Sequence, residues 1–168
     1  MRHVFLVLGA LMFGFTIATA ELKVGDIAPD FEAPTSLDEM VHLYSLVGQG
    51  PIVLYFYPKD DTPGCTKEAC GLRDSFAAFR NLKTRVFGIS YDSVASHKQF
   101  AAKYNLPFAL ISDKDKSIAK KYSANGFLFP KRMTFVINNE GRVAWINPSV
   151  DPSKHSDELQ KVIAQLPQ

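Results

Sequence analysis

Four short runs, Ile52–Tyr57, Arg85–Ser90, Phe108–Ser112 and Met133–Ile137, are dense in β-branched and aromatic residues and too short to be buried helices. An apolar run of that length without polar alternation reads as a strand buried on both faces, the kind found inside a layered sheet. Ile52–Tyr57 is the most continuous and lies between Pro51 and Pro58, so it is the expected central strand. Between the runs the pattern changes to helical spacing. From Cys65 onward, Ala69, Leu72, Phe76 and Phe79 mark one buried helix face. Ser93 caps a second helix to about Tyr104, and a short one covers Ser117–Tyr122. Ser156, followed by Asp157 and Glu158, opens a last helix to Leu166. Turn residues at 138–141 return the chain as an antiparallel partner over Arg142–Ile146. This order predicts an α/β sandwich, a central mixed sheet flanked by helices. Residues 30–47 carry short apolar groups broken by Pro34 and Asp38-Glu39, which suggests a small hairpin or an irregular lead-in.

Charge narrows the function classes. The 168 residues hold 19 Lys+Arg against 17 Asp+Glu, a net charge of +2, and no basic run gives a footprint for nucleic acid. A composition of 46% hydrophobic and 21% charged residues is ordinary for a globular chain and excludes disorder. Two cysteines are too few for a disulfide-stapled mini-protein, and the length makes staples unnecessary. At the start, Arg2 and His3 precede an apolar run from Val4 to Ile17, and Ala18-Thr19-Ala20 stands before Glu21. Basic region, apolar region and small-x-small site follow the order of a secretory signal peptide. Residues 1–20 are therefore expected to be removed, leaving one exported domain over 21–168; an uncleaved anchor is the alternative. Export would mean the periplasm if the source is a Gram-negative bacterium.

Both cysteines fall in Tyr57-Pro58-Lys59-Asp60-Asp61-Thr62-Pro63-Gly64-Cys65-Thr66-Lys67-Glu68-Ala69-Cys70, between the central strand and the amphipathic helix. Ligands commonly bind at the carboxyl ends of strands in open α/β sheets. Thr62 suits the N-cap and Pro63 the first helical position, which puts Cys65 in the first turn. Free amides and the helix dipole there favour an anion, and a thiolate is the reactive form of cysteine. Three other readings compete: a structural disulfide, two inert buried thiols, and a metal site. Five positions along a regular helix separate two Cα atoms by about 8.6 Å, beyond the roughly 7 Å a disulfide spans, so a bond here requires unwinding. His42, His97 and His155 are dispersed and no Cys-x-x-Cys occurs, which makes a metal site the poorest reading. Lys59, Asp60 and Asp61 read as a solvated loop, and Lys67 with Glu68 as an exposed helix edge. Arg73 and Asp74 could brace the helix or pair on its surface.

The stretch YFYPKDDTPGCTKEACGLRDSF closely resembles the active-site segment of peroxiredoxins, most of all the bacterioferritin comigratory protein or peroxiredoxin Q subfamily. Pro58, Thr62 and Cys65 meet the Pro-x-x-x-Thr-x-x-Cys signature, and the similarity runs from about Leu22 to the C-terminus. The resemblance implies a thioredoxin-like fold with an N-terminal hairpin extension. It implies that Cys65 is the peroxidatic cysteine, oxidised to a sulfenic acid, and Cys70 the resolving cysteine that closes an intramolecular disulfide. Thr62 would hydrogen-bond thiolate and peroxide, and Pro58 would shield the thiolate from water. Arg132, in Arg132-Met133-Thr134-Phe135, would stabilise the thiolate and the leaving oxygen, with Lys131 pointing the other way. The implied partners are a hydroperoxide and a thioredoxin-like dithiol reductant, with no metal, haem or flavin cofactor, and the chain is expected to be a monomer. A thioredoxin-type oxidoreductase would need the missing Cys-x-x-Cys, and a non-catalytic secreted binding domain would make the disulfide structural. Residues 123–130 (SANGFLFP) are unusually apolar and could be core, a flap over the pocket or a self-association surface.

Overall fold

The computed structural model describes residues 21–167. The expected signal peptide lies outside the described residues. Among the described residues, seven strands and five helices follow in the order β1 (Glu32–Pro34), β2 (Met40–His42), β3 (Ile52–Phe56), α1 (Pro63–Asp74), α2 (Phe76–Asn81), β4 (Arg85–Ser90), α3 (Val94–Tyr104), β5 (Leu110–Ser112), α4 (Ser117–Lys121), β6 (Met133–Ile137), β7 (Val143–Asn147) and α5 (His155–Ala164). The β1–β2 hairpin realises the N-terminal lead-in, and a single 3-10 turn at Leu43–Ser45 follows it.

The other five strands form one mixed sheet in the order β5-β4-β3-β6-β7. β3, the expected central strand, is buried at every position and pairs parallel to β4 and antiparallel to β6. Alternation along it divides the core. Ile52, Leu54 and Phe56 face the N-terminal extension and α4, where Phe31, Leu43, Ile118 and Tyr122 close over them. Val53, Tyr55 and Tyr57 face the opposite way, toward Leu72 of α1, Phe100 of α3 and Leu159 and Ile163 of α5.

Two helices differ from the expected ones. The apolar stripe through Phe76 and Phe79 is real, yet the helix breaks at Ser75, so α1 and α2 are separate. Spacing records which face is buried and is blind to a break that keeps that face inward. The last helix begins at His155, one residue earlier than expected. Phe127, Leu128 and Phe129 are exposed, so they are not core.

Candidate active site

The register of β3 on β6 builds the site. Phe56 lies opposite Met133, so the carboxyl end of β3 and the amino end of β6 are neighbours. Tyr57 leads out of the first into the loop 58–62, and Arg132 leads into the second. Asp61 takes a left-handed conformation (φ 55°), which folds the loop back before α1 begins. Thr62 is extended at the N-cap and Pro63 occupies the first turn, as their chemistry favours. Cys65 follows in that turn, where the helix amides have no intrahelical acceptor. It is buried, with 2% of its surface exposed.

Arg132 Nη2 donates to Cys65 Sγ at 3.2 Å, and Nη1 of the same guanidinium binds Glu68 Oε2. Burial works against the charge on Arg132, but the Glu68 carboxylate and the Cys65 sulfur more than offset it and hold its pKa above the ordinary value. A fixed guanidinium beside a sulfur stabilises negative charge that develops on any atom that sulfur reacts with. Lys131 is exposed and points its ammonium to Ser123 O at 3.3 Å, away from the sulfur as strand alternation predicts.

Glu68 corrects the sequence reading. It was expected on an exposed helix edge; it is fully buried, because Cys65, Glu68, Ala69 and Leu72 occupy one face of α1. That i, i+3, i+4, i+7 set could have revealed a carboxylate on an apolar stripe. Its Oε1 lies 2.9 Å from His155 Nδ1, close enough for an ion pair though off hydrogen-bond alignment, and neither atom has another partner among the described residues. His155 Nε2 meets Thr134 Oγ1 at 2.9 Å.

Asp60 is the second correction. It is buried at 7% exposure, not solvated, because its carboxylate closes a polar knot under the loop. Tyr57 donates to it at 2.6 Å, Ser96 at 2.7 Å, and His97 Nδ1 lies 2.9 Å away. Burial alone would raise its pKa, but these bonds outweigh it and the net direction is down. Its backbone N–H also donates to Asp92 at 2.9 Å, so the loop is pinned at both ends of one residue. Asp61 is exposed, as expected, and pairs with Lys103 and Tyr104. Arg73 does both things considered for it: it pairs with Asp74 and donates to Tyr104 O at 2.8 Å, tying α1 to α3.

The remaining site residues are placed differently from one another. The Thr62 hydroxyl donates to Lys59 O at 3.1 Å and makes no bond to Cys65, because the left-handed turn at Asp61 brings that carbonyl back under it. Pro58 is half-buried at the end of β3. Both cysteines are free thiols in the same unbroken helix, Cys65 buried and Cys70 half-buried. His42, His97 and His155 each meet a different carboxylate, Asp30, Asp60 and Glu68.

Comparison with known proteins bears on the family and the fold. The profile of the AhpC/TSA family matches residues 24–146. The chain is 41% identical over 154 residues to the chloroplastic peroxiredoxin Q of Triticum aestivum, across 89% of this chain and 70% of that one. Among solved structures, peroxidoxin BcpB from Mycobacterium tuberculosis superposes with a TM-score of 0.83 at 34% identity, covering 88% of this chain and all, 100%, of the other. The bacterioferritin comigratory protein of Xanthomonas campestris, which has alkyl peroxide reduction activity, superposes at 0.78 with 28% identity, covering 85% and 96% of the two chains.

Proposed function

The chain belongs to the AhpC/TSA family, as a thiol peroxidase of the peroxiredoxin Q or bacterioferritin comigratory kind, and from that premise we propose that Cys65 reduces hydroperoxides and Cys70 resolves the product. The observation that carries this reading is the 3.2 Å contact between the Arg132 guanidinium and the buried Cys65 sulfur. The Cys65 thiolate attacks one peroxide oxygen, the O–O bond breaks, and the leaving oxygen takes a proton as water or alcohol. Arg132 stabilises the charge on both sulfur and leaving oxygen. Thr62 stands at the mouth of the same turn and turns its hydroxyl from Lys59 O to the peroxide when substrate arrives. Pro58, half-buried at the start of the same loop, is the residue proposed to shield the sulfur from water.

The sulfenic acid on Cys65 then condenses with Cys70 to an intramolecular disulfide with loss of water, and a thioredoxin-like dithiol reduces that bond by exchange. Hydrogen peroxide and alkyl hydroperoxides are the substrate class, as alkyl peroxides are for the Xanthomonas relative. A cycle closed within one chain needs no partner subunit, which supports a monomer. Residues 1–20 direct export and are removed before Glu21; the support is the order of basic, apolar and small residues at the start of the chain.

The test is peroxide consumption coupled to thioredoxin, its reductase and NADPH. The protein is expected to turn over with hydrogen peroxide or cumene hydroperoxide, and Cys65→Ser to be inactive, since an ordinary hydroxyl cannot replace a thiolate. Undiminished turnover by Cys65→Ser would overturn the assignment. Protein recovered from the exported fraction should begin at Glu21, and a sequence starting at Met1 would replace export by anchoring.

A further inference from the structure

We infer that His155 is a positioning residue that latches α1 in its wound form and so sets the rate of disulfide formation. The inference rests on the proposed pairing of Cys65 with Cys70. Both lie within α1, where five positions turn the second side chain about 140° from the first and place the Cα atoms about 8.6 Å apart. A disulfide cannot span that distance, so residues 66–69 must leave the helix before the bond closes. Glu68 lies inside that stretch.

Glu68 is fully buried and held from two sides. On one side is Arg132, which also touches the sulfur; on the other is His155, which touches neither sulfur. His155 is the first residue of α5, is itself fully buried, and is anchored through Nε2 to Thr134 Oγ1 at 2.9 Å. The two groups meet at ion-pair distance, Nδ1 lying 2.9 Å from Oε1, and the tautomer with its proton on Nδ1 is the one that makes the contact favourable. Arg132 and Thr134 sit two positions apart, and their contacts lie on the same side of the sheet, Arg132 on Cys65 and Glu68 and Thr134 on His155. The result is a closed ring: Thr134 on β6, His155 on α5, Glu68 on α1, and Arg132 just before β6. Unwinding α1 pulls Glu68 out of this ring.

The direction of the effect follows from solvation. Without the imidazole, Glu68 Oε1 is buried with no partner, because none other is within reach in the described residues. That penalty falls on the wound state alone, since a Glu68 drawn out with the unwound segment reaches water. Losing His155 therefore favours unwinding and speeds the step in which the Cys70 thiolate attacks the Cys65 sulfenic sulfur. In that step the S–O bond breaks, and hydroxide leaves as water with the proton released from Cys70.

The experiment mixes the reduced protein with one equivalent of hydrogen peroxide and quenches at intervals, with sulfenic acid and disulfide distinguished by peptide mass. It compares the first-order rate of disulfide formation in the unsubstituted protein, His155→Leu and Thr134→Val, with the peroxide step in the same traces as internal reference. His155→Leu should close the disulfide about tenfold faster relative to the peroxide step, equivalent to about 1.4 kcal/mol. Thr134→Val, which loosens the imidazole without removing it, should move the ratio the same way by less. A purely structural role would lower the melting temperature and leave the ratio unchanged. If His155→Leu does not fold, Thr134→Val decides, together with the peroxide concentration that half-overoxidises Cys65, which should rise by the same factor as the ratio. Equal or slower disulfide formation in the folded variants overturns the latch while leaving the Cys65–Cys70 pairing intact. Failure of the unsubstituted protein to form that disulfide overturns both.

Discussion

Arg132 Nη2 and Cys65 Sγ lie 3.2 Å apart although 67 positions separate them in the chain. The contact exists because β6 runs antiparallel to β3, which brings the start of one strand to the end of the other. It also depends on Glu68, which takes the second nitrogen of the guanidinium and fixes its plane. The reactive sulfur is thus oriented by a helix it belongs to and by a strand it does not.

Arg132→Ala removes the only cation on the sulfur among the described residues. The second-order rate constant with hydrogen peroxide should fall about 100- to 1,000-fold, the usual loss for a preorganised charge donor at a reacting atom. Stopped-flow mixing with limiting peroxide measures it. A change of less than a few-fold would take Arg132 out of the chemistry.

Glu68→Gln keeps the shape of the side chain and removes the charge between Arg132 and His155. Breaking one partner of a buried ion pair costs about 3 kcal/mol, and urea unfolding should show a loss of that order. The peroxide step should slow as well, because the guanidinium loses its fixed orientation. Stability equal to that of the unsubstituted protein would mean that the Glu68 charge contributes nothing to the fold.

Asp113 gives a pH dependence with a definite sign. Burial raises its pKa to about 6, although its two oxygens accept the amides of Ile118 and Ala119 at the start of α4. A carboxyl whose pKa is higher folded than unfolded favours the folded state when protonated, and that contribution is lost as pH rises from about 4 through 6. The stability difference between the unsubstituted protein and Asp113→Asn should shrink by about 2 kcal/mol between pH 4 and pH 7. Urea unfolding of both at each pH measures it, and a constant difference would contradict the assignment.

Gly88 in β4 faces the ring of Tyr55. A Cβ there would stand 2.6 Å from Tyr55 Cζ and Oη and 2.7 Å from Leu110 Cδ2. Gly88→Ala should therefore destabilise the protein by about 2 kcal/mol through overpacking of a filled core. A thermal or urea midpoint indistinguishable from the parent would show that the ring and Leu110 can give way.

The strands and the site helix were legible because their signals are local. Ile52–Phe56 announces a buried strand by composition alone, and Thr62-Pro63 announces a helix start by capping chemistry. What was not legible depends on partners far along the chain. Glu68 and Asp60 read as surface charges by type; only the arrival of Arg132 and His155 at one, and of His97 and Ser96 at the other, makes their burial affordable. For Glu68 a trace existed, since it shares the helical stripe of Cys65, Ala69 and Leu72. For Asp60 there was none. The turn of the Thr62 hydroxyl toward Lys59 follows from the left-handed backbone at Asp61, a conformation residue type favours only weakly.

In the proposed cycle the Cys65 sulfur meets peroxide and the Cys70 sulfur resolves the product. One equivalent of hydrogen peroxide added to reduced protein, followed by alkylation and peptide mass analysis, tests this most directly. A peptide carrying both cysteines joined and unalkylated is expected; Cys70→Ser should give a sulfenic acid on Cys65, trapped by dimedone. Peroxide consumed with both thiols still open to alkylation, or a sulfenic acid found on Cys70 while Cys65 stays reduced, would contradict it.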